Sequence, residues 1–196
     1  MILLVDNRDS FTFNLVHALW DAGAEVVVRR AHDLDDGTLH TVGAKAVVLG
    51  PGPGRPSADG PNAELVRASS GALPVVGVCF GHQALAVAWG GRLTRARELR
   101  HGKTTRIEHD ETGLFRGVES PLVATVYHSL VVDEASLPKE LVVTARDEHG
   151  DVMGLRHVSA EVEGIQFHPE ALRTRGAQPL FRTIAGLAAT SREGDG

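Results

Sequence analysis

Four short runs, Leu3-Leu4-Val5, Val26-Val27-Val28, Ala44 to Leu49 and Pro74 to Val78, are apolar at almost every position and stop abruptly at polar residues or glycine. A strand with no polar face must be covered on both sides, so these runs cannot belong to a sheet that shows one face to water. Between them the chain changes period. Phe11, Asn14, Leu15, Ala18 and Leu19 recur at helical spacing, with Ser10 as the expected N-cap and Gly23 as the stop. Asp33-Leu34-Asp35-Asp36 opens a weaker helix, Ala63 to Ser70 a further one, and Gly81 to Trp89 one of small and apolar residues. Strands alternating with helices predict an α/β domain whose mostly parallel sheet has helices on both faces.

The texture changes after Gly90-Gly91. Thr104 to Glu108, Leu122 to Val126, Leu141 to Ala145 and Met153 to Arg156 are strand-like runs divided by Gly, Asp and Ser, which predicts a small, partly antiparallel extension packed on the same sheet. Glu163 to Phe167 reads as a last strand and Pro179 to Ala189 as a last helix. No repeat or linker divides the chain, so 1–190 is expected to be one domain and 191–196 a polar, frayed tail. Trp20, Trp89 and Phe181 fall on apolar helical faces and are expected in the core.

Lys and Arg number 20 against 25 Asp and Glu, a net charge of −5 with no basic block, which argues against a nucleic-acid or anionic-membrane partner. Met1 to Asp6 lacks a basic flank and meets an acid too early for a signal peptide, and no apolar run approaches the roughly 20 residues of a spanning helix. The expectation is a cytosolic protein. The single cysteine cannot form an internal disulfide, which leaves a buried small hydrophobe or a reactive thiol.

Context favours the thiol. Cys79 lies in Gly77-Val-Cys-Phe-Gly81 between an apolar strand and a helix, the G-x-C-x-G form of a nucleophile elbow. Flanking glycines permit a tight turn, and a helix N-terminus beneath the sulfur favours its anion. Such a nucleophile needs a base held by a third group. His168 in Phe167-His-Pro-Glu170 follows the last apolar run, so it stands at a strand's C-terminal end, where open parallel sheets keep their sites. On spacing alone it reads equally well as a solvated loop histidine. Pro169 fixes the turn so that Glu170 can reach back to the imidazole. Gly50-Pro-Gly-Pro-Gly54 is a rigid loop at another strand end, and Gly52, lacking Cβ, lets an N–H approach a ligand oxygen. His82 reads as a helix-facing residue behind the site, and His128 as a shaper of its own segment. Lys103 lacks the glycine spacing of a phosphate loop. No His, Cys, Asp or Glu cluster has metal-ligand spacing.

Gly77-Val-Cys-Phe-Gly-His-Gln83 together with Gly164-Ile-Gln-Phe-His-Pro-Glu170 resembles the class I (triad) glutamine amidotransferases, a flavodoxin-like α/β fold. Asp6 to Asn14, Pro51-Gly-Pro-Gly54, His101-Gly-Lys-Thr104 and Tyr127-His-Ser-Leu-Val131 resemble, within that class, the glutaminase subunits of anthranilate and aminodeoxychorismate synthases. The likeness runs from Met1 to about Ala185 with its motifs in family order. Phe80 stands where the family usually has Leu, and Arg8 where it has Tyr. The resemblance implies Cys79 as nucleophile, His168 as base then acid, Glu170 as its orienter, and the backbone N–H groups of Gly52 and Phe80 as oxyanion hole. It assigns glutamine binding to Gly52, Pro53, Gly54, Gln83, Ser129 and Leu130, with Gln83 able to donate and to accept at the amino-acid head group. It implies L-glutamine as substrate, no cofactor in this chain, and as protein partner a chorismate-binding synthase subunit, whose Mg²⁺ would be its own. Met1 to Asn7 and Val152 to His157 lean towards the aminodeoxychorismate branch. Two other readings stay open: a free-standing cysteine hydrolase of γ-glutamyl hydrolase type, which needs no partner, and a non-catalytic subunit that only stabilises its synthase.

Overall fold

The computed structural model describes residues 1–34 and 37–190. Along the chain run β1 (Ile2–Asp6), α1 (Thr12–Asp21), β2 (Val26–Arg30), α2 (Thr38–Thr41), β3 (Ala46–Leu49), α3 (Pro61–Ser69), β4 (Val75–Val78) and α4 (Phe80–Ala88). Then follow β5 (Arg92–Arg95), β6 (Lys103–His109), β7 (Leu122–Val126), β8 (Leu130–Asp133), β9 (Leu141–Asp147), β10 (Val152–His157), β11 (Val162–Ile165) and α5 (Gln178–Thr190). A nine-stranded sheet has the order β2-β1-β3-β4-β11-β10-β9-β6-β7, and β5 pairs with β8 in a separate ribbon.

The first five strands of that order are mutually parallel and the other four antiparallel, so β11 is at once the last parallel and the first antiparallel strand. Side-chain alternation in β1 shows why the apolar runs needed two covers. Ile2 and Leu4 pack with Leu15, Val16 and Leu19 of α1 and with Leu180 and Ile184 of α5. Leu3 and Val5 point the other way, onto Val66 of α3 and Ala84 and Leu85 of α4. The ribbon covers part of that second face through Leu93 and Val132, which join Ala86, Val87 and Leu155.

Several expectations are corrected. The antiparallel strands continue the main sheet edge to edge instead of packing on it, and only the β5–β8 ribbon lies apart. Neither ribbon strand is among the expected runs, since Arg92-Leu-Thr-Arg95 offers one apolar residue and Leu130 to Asp133 begins inside the Tyr127-to-Val131 motif. Ser10 does not cap α1, which starts at Thr12. Asp9 Oδ1 accepts from the Phe11 N–H at 2.8 Å and Asp6 Oδ1 from the Thr12 hydroxyl at 2.9 Å, so carboxylates organise that entrance. The weak helix resolves into a short 3₁₀ turn, Ala31–Asp33, and α2, with Asp35 and Asp36 outside the described residues. Phe181 is buried and Trp89 half-buried against His157, whereas Trp20 is 52% exposed and no core residue. The tail at 191–196 also lies outside the described residues.

Candidate active site

β4 ends at Val78 and α4 begins at Phe80, so Cys79 alone turns the chain from strand to helix. Its φ of 53° with ψ of −102° is a conformation that L side chains avoid, a strain on the order of 1–3 kcal/mol. Glycine on either side makes the turn possible. A Cβ at Gly77 would stand 2.5 Å from the carbonyl carbon of Gly81, and one at Gly81 would run into the Leu49 carbonyl. The Cys79 N–H donates to the Ile165 carbonyl at 2.8 Å, which moors the elbow to β11, and Phe80 opens α4 just beyond the sulfur.

His168 lies just past the end of β11, at the same edge of the sheet. Its N–H donates to the Thr125 carbonyl at 2.9 Å, and its carbonyl accepts from the Thr174 hydroxyl at 2.7 Å. The loop is thereby fixed to β7, and a solvated loop histidine is ruled out by an exposure of 2%. Glu170 Oε1 meets His168 Nδ1 at 2.6 Å, which leaves Nε2 as the working edge of the ring. Burial opposes charge on this imidazole. The nearby Cys79 sulfur and the Glu170 carboxylate outweigh it and push His168 up to about 10, which favours the charged form of the ring. Tyr127 packs edge-on to it at 4.9 Å and Phe11 at 5.6 Å between ring centres.

Buried His82 and half-buried His128 behave oppositely. Burial takes His82 down to about 3, and burial together with the nearby His168 charge takes His128 down to about 4. Both are neutral, and neither competes with His168 as an acid at neutral pH. His82 packs beneath β11, where a Cβ on Gly164 would come within 2.9 Å of its Nδ1. That agrees with the sequence reading of a residue behind the site.

A cavity of about 150 Å³ is walled by Gly52, Pro53, Gly54, Gln83, Ser129 and Leu130, with Cys79 and Phe80 at its base and Tyr127 and His128 completing it. Every residue expected to bind glutamine therefore reaches one space beside the expected nucleophile. The volume is well below the roughly 300 Å³ at which pockets for drug-sized ligands begin, and suits a small ligand. Gly52 is wedged in place: a Cβ there would lie 2.5 Å from Asn7 Cβ and 3.3 Å from Phe80 Cγ. Asn7 donates to the Gly50 carbonyl at 3.0 Å and exchanges amide hydrogen bonds with Asn62, so the loop is stiffened from behind. A wider crevice of about 340 Å³ opens on the far side of Phe80, lined by Arg8, His32 and Arg55 among others, and contains neither Cys79 nor His168.

Gln83 differs in one respect from its expected role. Its Nε2 donates to the Leu130 carbonyl at 2.9 Å and to Gln166 Oε1 at 3.1 Å, so both hydrogens are spent and only Oε1 remains for a ligand. Gln166 itself and Phe11, which touches the His168 ring, went unassigned from sequence. A polar residue between Ile165 and Phe167 at the end of a buried strand was the available signal for the first. Among the described residues no three His, Cys, Asp or Glu side chains gather as metal ligands would, and no helix is long and apolar enough to cross a membrane.

Comparison with known proteins gives a consistent picture. Residues 3–186 match the family model "Glutamine amidotransferase class-I". The chain is 45% identical over 181 residues to aminodeoxychorismate synthase component 2 of Escherichia coli, covering 92% of this chain and 97% of that one. It is 42% identical over 184 residues to aminodeoxychorismate/anthranilate synthase component 2 of Bacillus subtilis, covering 94% and 95%. Among solved structures, a putative GMP synthase subunit from Thermoplasma acidophilum superposes with a TM-score of 0.84 at 24% identity, covering 98% of this chain and 95% of that one, which speaks for the fold.

Proposed function

Since the chain belongs to the class-I glutamine amidotransferase family, we propose that it is the glutaminase component of a two-subunit, chorismate-aminating synthase. It hydrolyses L-glutamine to glutamate and passes the ammonia to a synthase subunit of the aminodeoxychorismate or anthranilate type. The observation that supports this most directly is the meeting, at the ends of β4 and β11, of a cysteine in a strained elbow and a buried histidine whose Nδ1 is held by a carboxylate at 2.6 Å.

The chemistry follows from that arrangement. Cys79 Sγ adds to the side-chain carboxamide carbon, and the oxygen takes the negative charge in front of the Gly52 and Phe80 amides. His168 gives its proton to the amide nitrogen, the C–N bond breaks, and ammonia leaves a glutamyl thioester on Cys79. A water then loses a proton to His168 and adds to the thioester carbon. The C–S bond breaks, and glutamate departs with the sulfur restored. Glu170 keeps Nδ1 engaged throughout, so the proton moves at Nε2. Gly52, Pro53, Gly54, Ser129 and Leu130 enclose the amino-acid head group, and Gln83 Oε1 accepts from its ammonium. On this reading the partner supplies the chorismate site with its Mg²⁺, the present chain needs no cofactor, and the pair works in the cytoplasm.

The test is Cys79→Ala in the complex reconstituted with the synthase subunit. Glutamine-dependent amination of chorismate should vanish while amination from added ammonium salts persists, because only amide cleavage is lost. Equal loss of both activities would make Cys79 structural and overturn the proposal. Identification of the aromatic product in the same assay separates the two pathways.

A further inference from the structure

Gln166 has no exposure to solvent and occupies the deepest layer of the site, yet its side chain is an amide. Its Nε2 lies 3.7 Å from Cys79 Sγ and its Oε1 3.1 Å from Gln83 Nε2. Oxygen and nitrogen of an amide are easily exchanged, but here the network decides which is which. The Leu130 carbonyl can only accept, so Gln83 must turn its NH₂ group that way. The second hydrogen of that group points at Gln166, which must answer with its oxygen. Its own NH₂ is then left facing the Cys79 sulfur. A main-chain carbonyl thus fixes, through two side chains, a hydrogen-bond donor on the reacting atom.

We propose that Gln166 is a positioning residue for the Cys79–His168 pair: its amide donates to the sulfur, favours the sulfur anion, and connects that donor through Gln83 to whatever occupies the glutamine cavity. The proposal rests on the glutaminase reading above and adds a second partner to the sulfur besides His168. Donors to an ionised acceptor form stronger hydrogen bonds than donors to a neutral one, so the amide favours the anion over the thiol. The link to the cavity follows from the spent donors of Gln83. Its Oε1 is the one polar atom of the two amides left free, and a cation placed there polarises the whole row towards the sulfur.

The chain has a single cysteine, so alkylation by iodoacetamide reports on Cys79 alone. In Gln166→Met, which keeps the volume and loses the donor, the alkylation rate of the chain at about pH 7 should fall about tenfold and recover by about pH 9, where the anion forms unaided. Gln166→Glu keeps an oxygen for Gln83 but sets a second one against the sulfur, so its loss should be larger. In the complex with the synthase, kcat for glutamine should fall with the alkylation rate while KM changes less than threefold. Thermal unfolding identifies a variant that fails to fold; if Gln166→Glu is one, Gln166→Met decides. A loss equal at every pH, or rates within twofold of wild type in a folded Gln166→Met, would overturn the relay and leave the role of Cys79 standing. A wild-type Cys79 no more reactive at about pH 7 than a free thiol would overturn both.

Discussion

In the parallel half of the sheet β3 and β4 are buried at every position and β1 at all but its last, whereas in the antiparallel half β6 alternates around buried Thr105 and Ile107, and β7 and β9 each turn one valine to solvent. Val123 and Val142 are 41% and 40% exposed on that open face. The first half has helices on both sides and is rigid because it is covered. The second is open along part of one face, most of all on β6. The site draws on both. Cys79 hangs from the covered half, while His168 is tied to Thr125 of β7 and the cavity wall at 127–130 joins β7 to β8. The covered half thus supplies Cys79, the 52–54 loop, Gln83 and the strand that leads to His168, while the open half supplies the 127–130 wall and the anchor of the His168 loop.

The heaviest blow to this division of labour is expected at the proton-moving side. His168→Ala should cost about 10³-fold or more in glutamine hydrolysis, measured as glutamate release in the complex, and Glu170→Gln about tenfold less, because an orienting group fixes geometry while the ring transfers the proton. The same carboxylate leaves a mark on stability. His168 is raised above its ordinary value of 6.5 to about 10, so the stabilisation from its charged form is complete below about pH 6.5 and is lost as pH rises through about 10. Glu170→Gln should flatten that decline in urea titrations repeated across the range; an unchanged slope would detach the charge from this pair. Next in size is Leu4→Ala in the covered half, where a side chain with no exposure leaves a cavity between α1, α5 and the sheet, with a loss of about 3 kcal/mol by chemical denaturation. The smallest effect is expected for Val142→Ser on the open face, within about 0.5 kcal/mol of wild type in the same assay. Should the last two losses come out alike, the contrast between the halves would fail.

The sequence disclosed the covered half more fully than the open one, for a physical reason. Burial on both faces writes a run such as Leu3-Leu4-Val5 that has few other interpretations, and the parallel order follows from the helices between such runs. β5 of the ribbon buries only Leu93, so Arg92 to Arg95 carries almost no signal. Cys79, His168 and Glu170 were legible because an elbow and a strand-end turn demand glycine and proline at fixed offsets. The direction of the Gln83 amide was not, since it depends on the carbonyl of Leu130, far away in the chain. Trp20 misled through periodicity: α1 presents Phe13, His17 and Trp20 along an outer stripe that spacing alone does not separate from the inner one.

The strained turn at Cys79 also bears on how such a chain would decay if its chemistry were no longer needed. Glycine adopts a positive φ without penalty, so a Cys79→Gly change would relieve on the order of 1 kcal/mol while leaving the sheet, the helices and the outer surface intact. Drift therefore pushes steadily against the nucleophile, and only continued selection for turnover keeps a side chain at that corner. A glycine at that corner would keep the scaffold and give up the thiol.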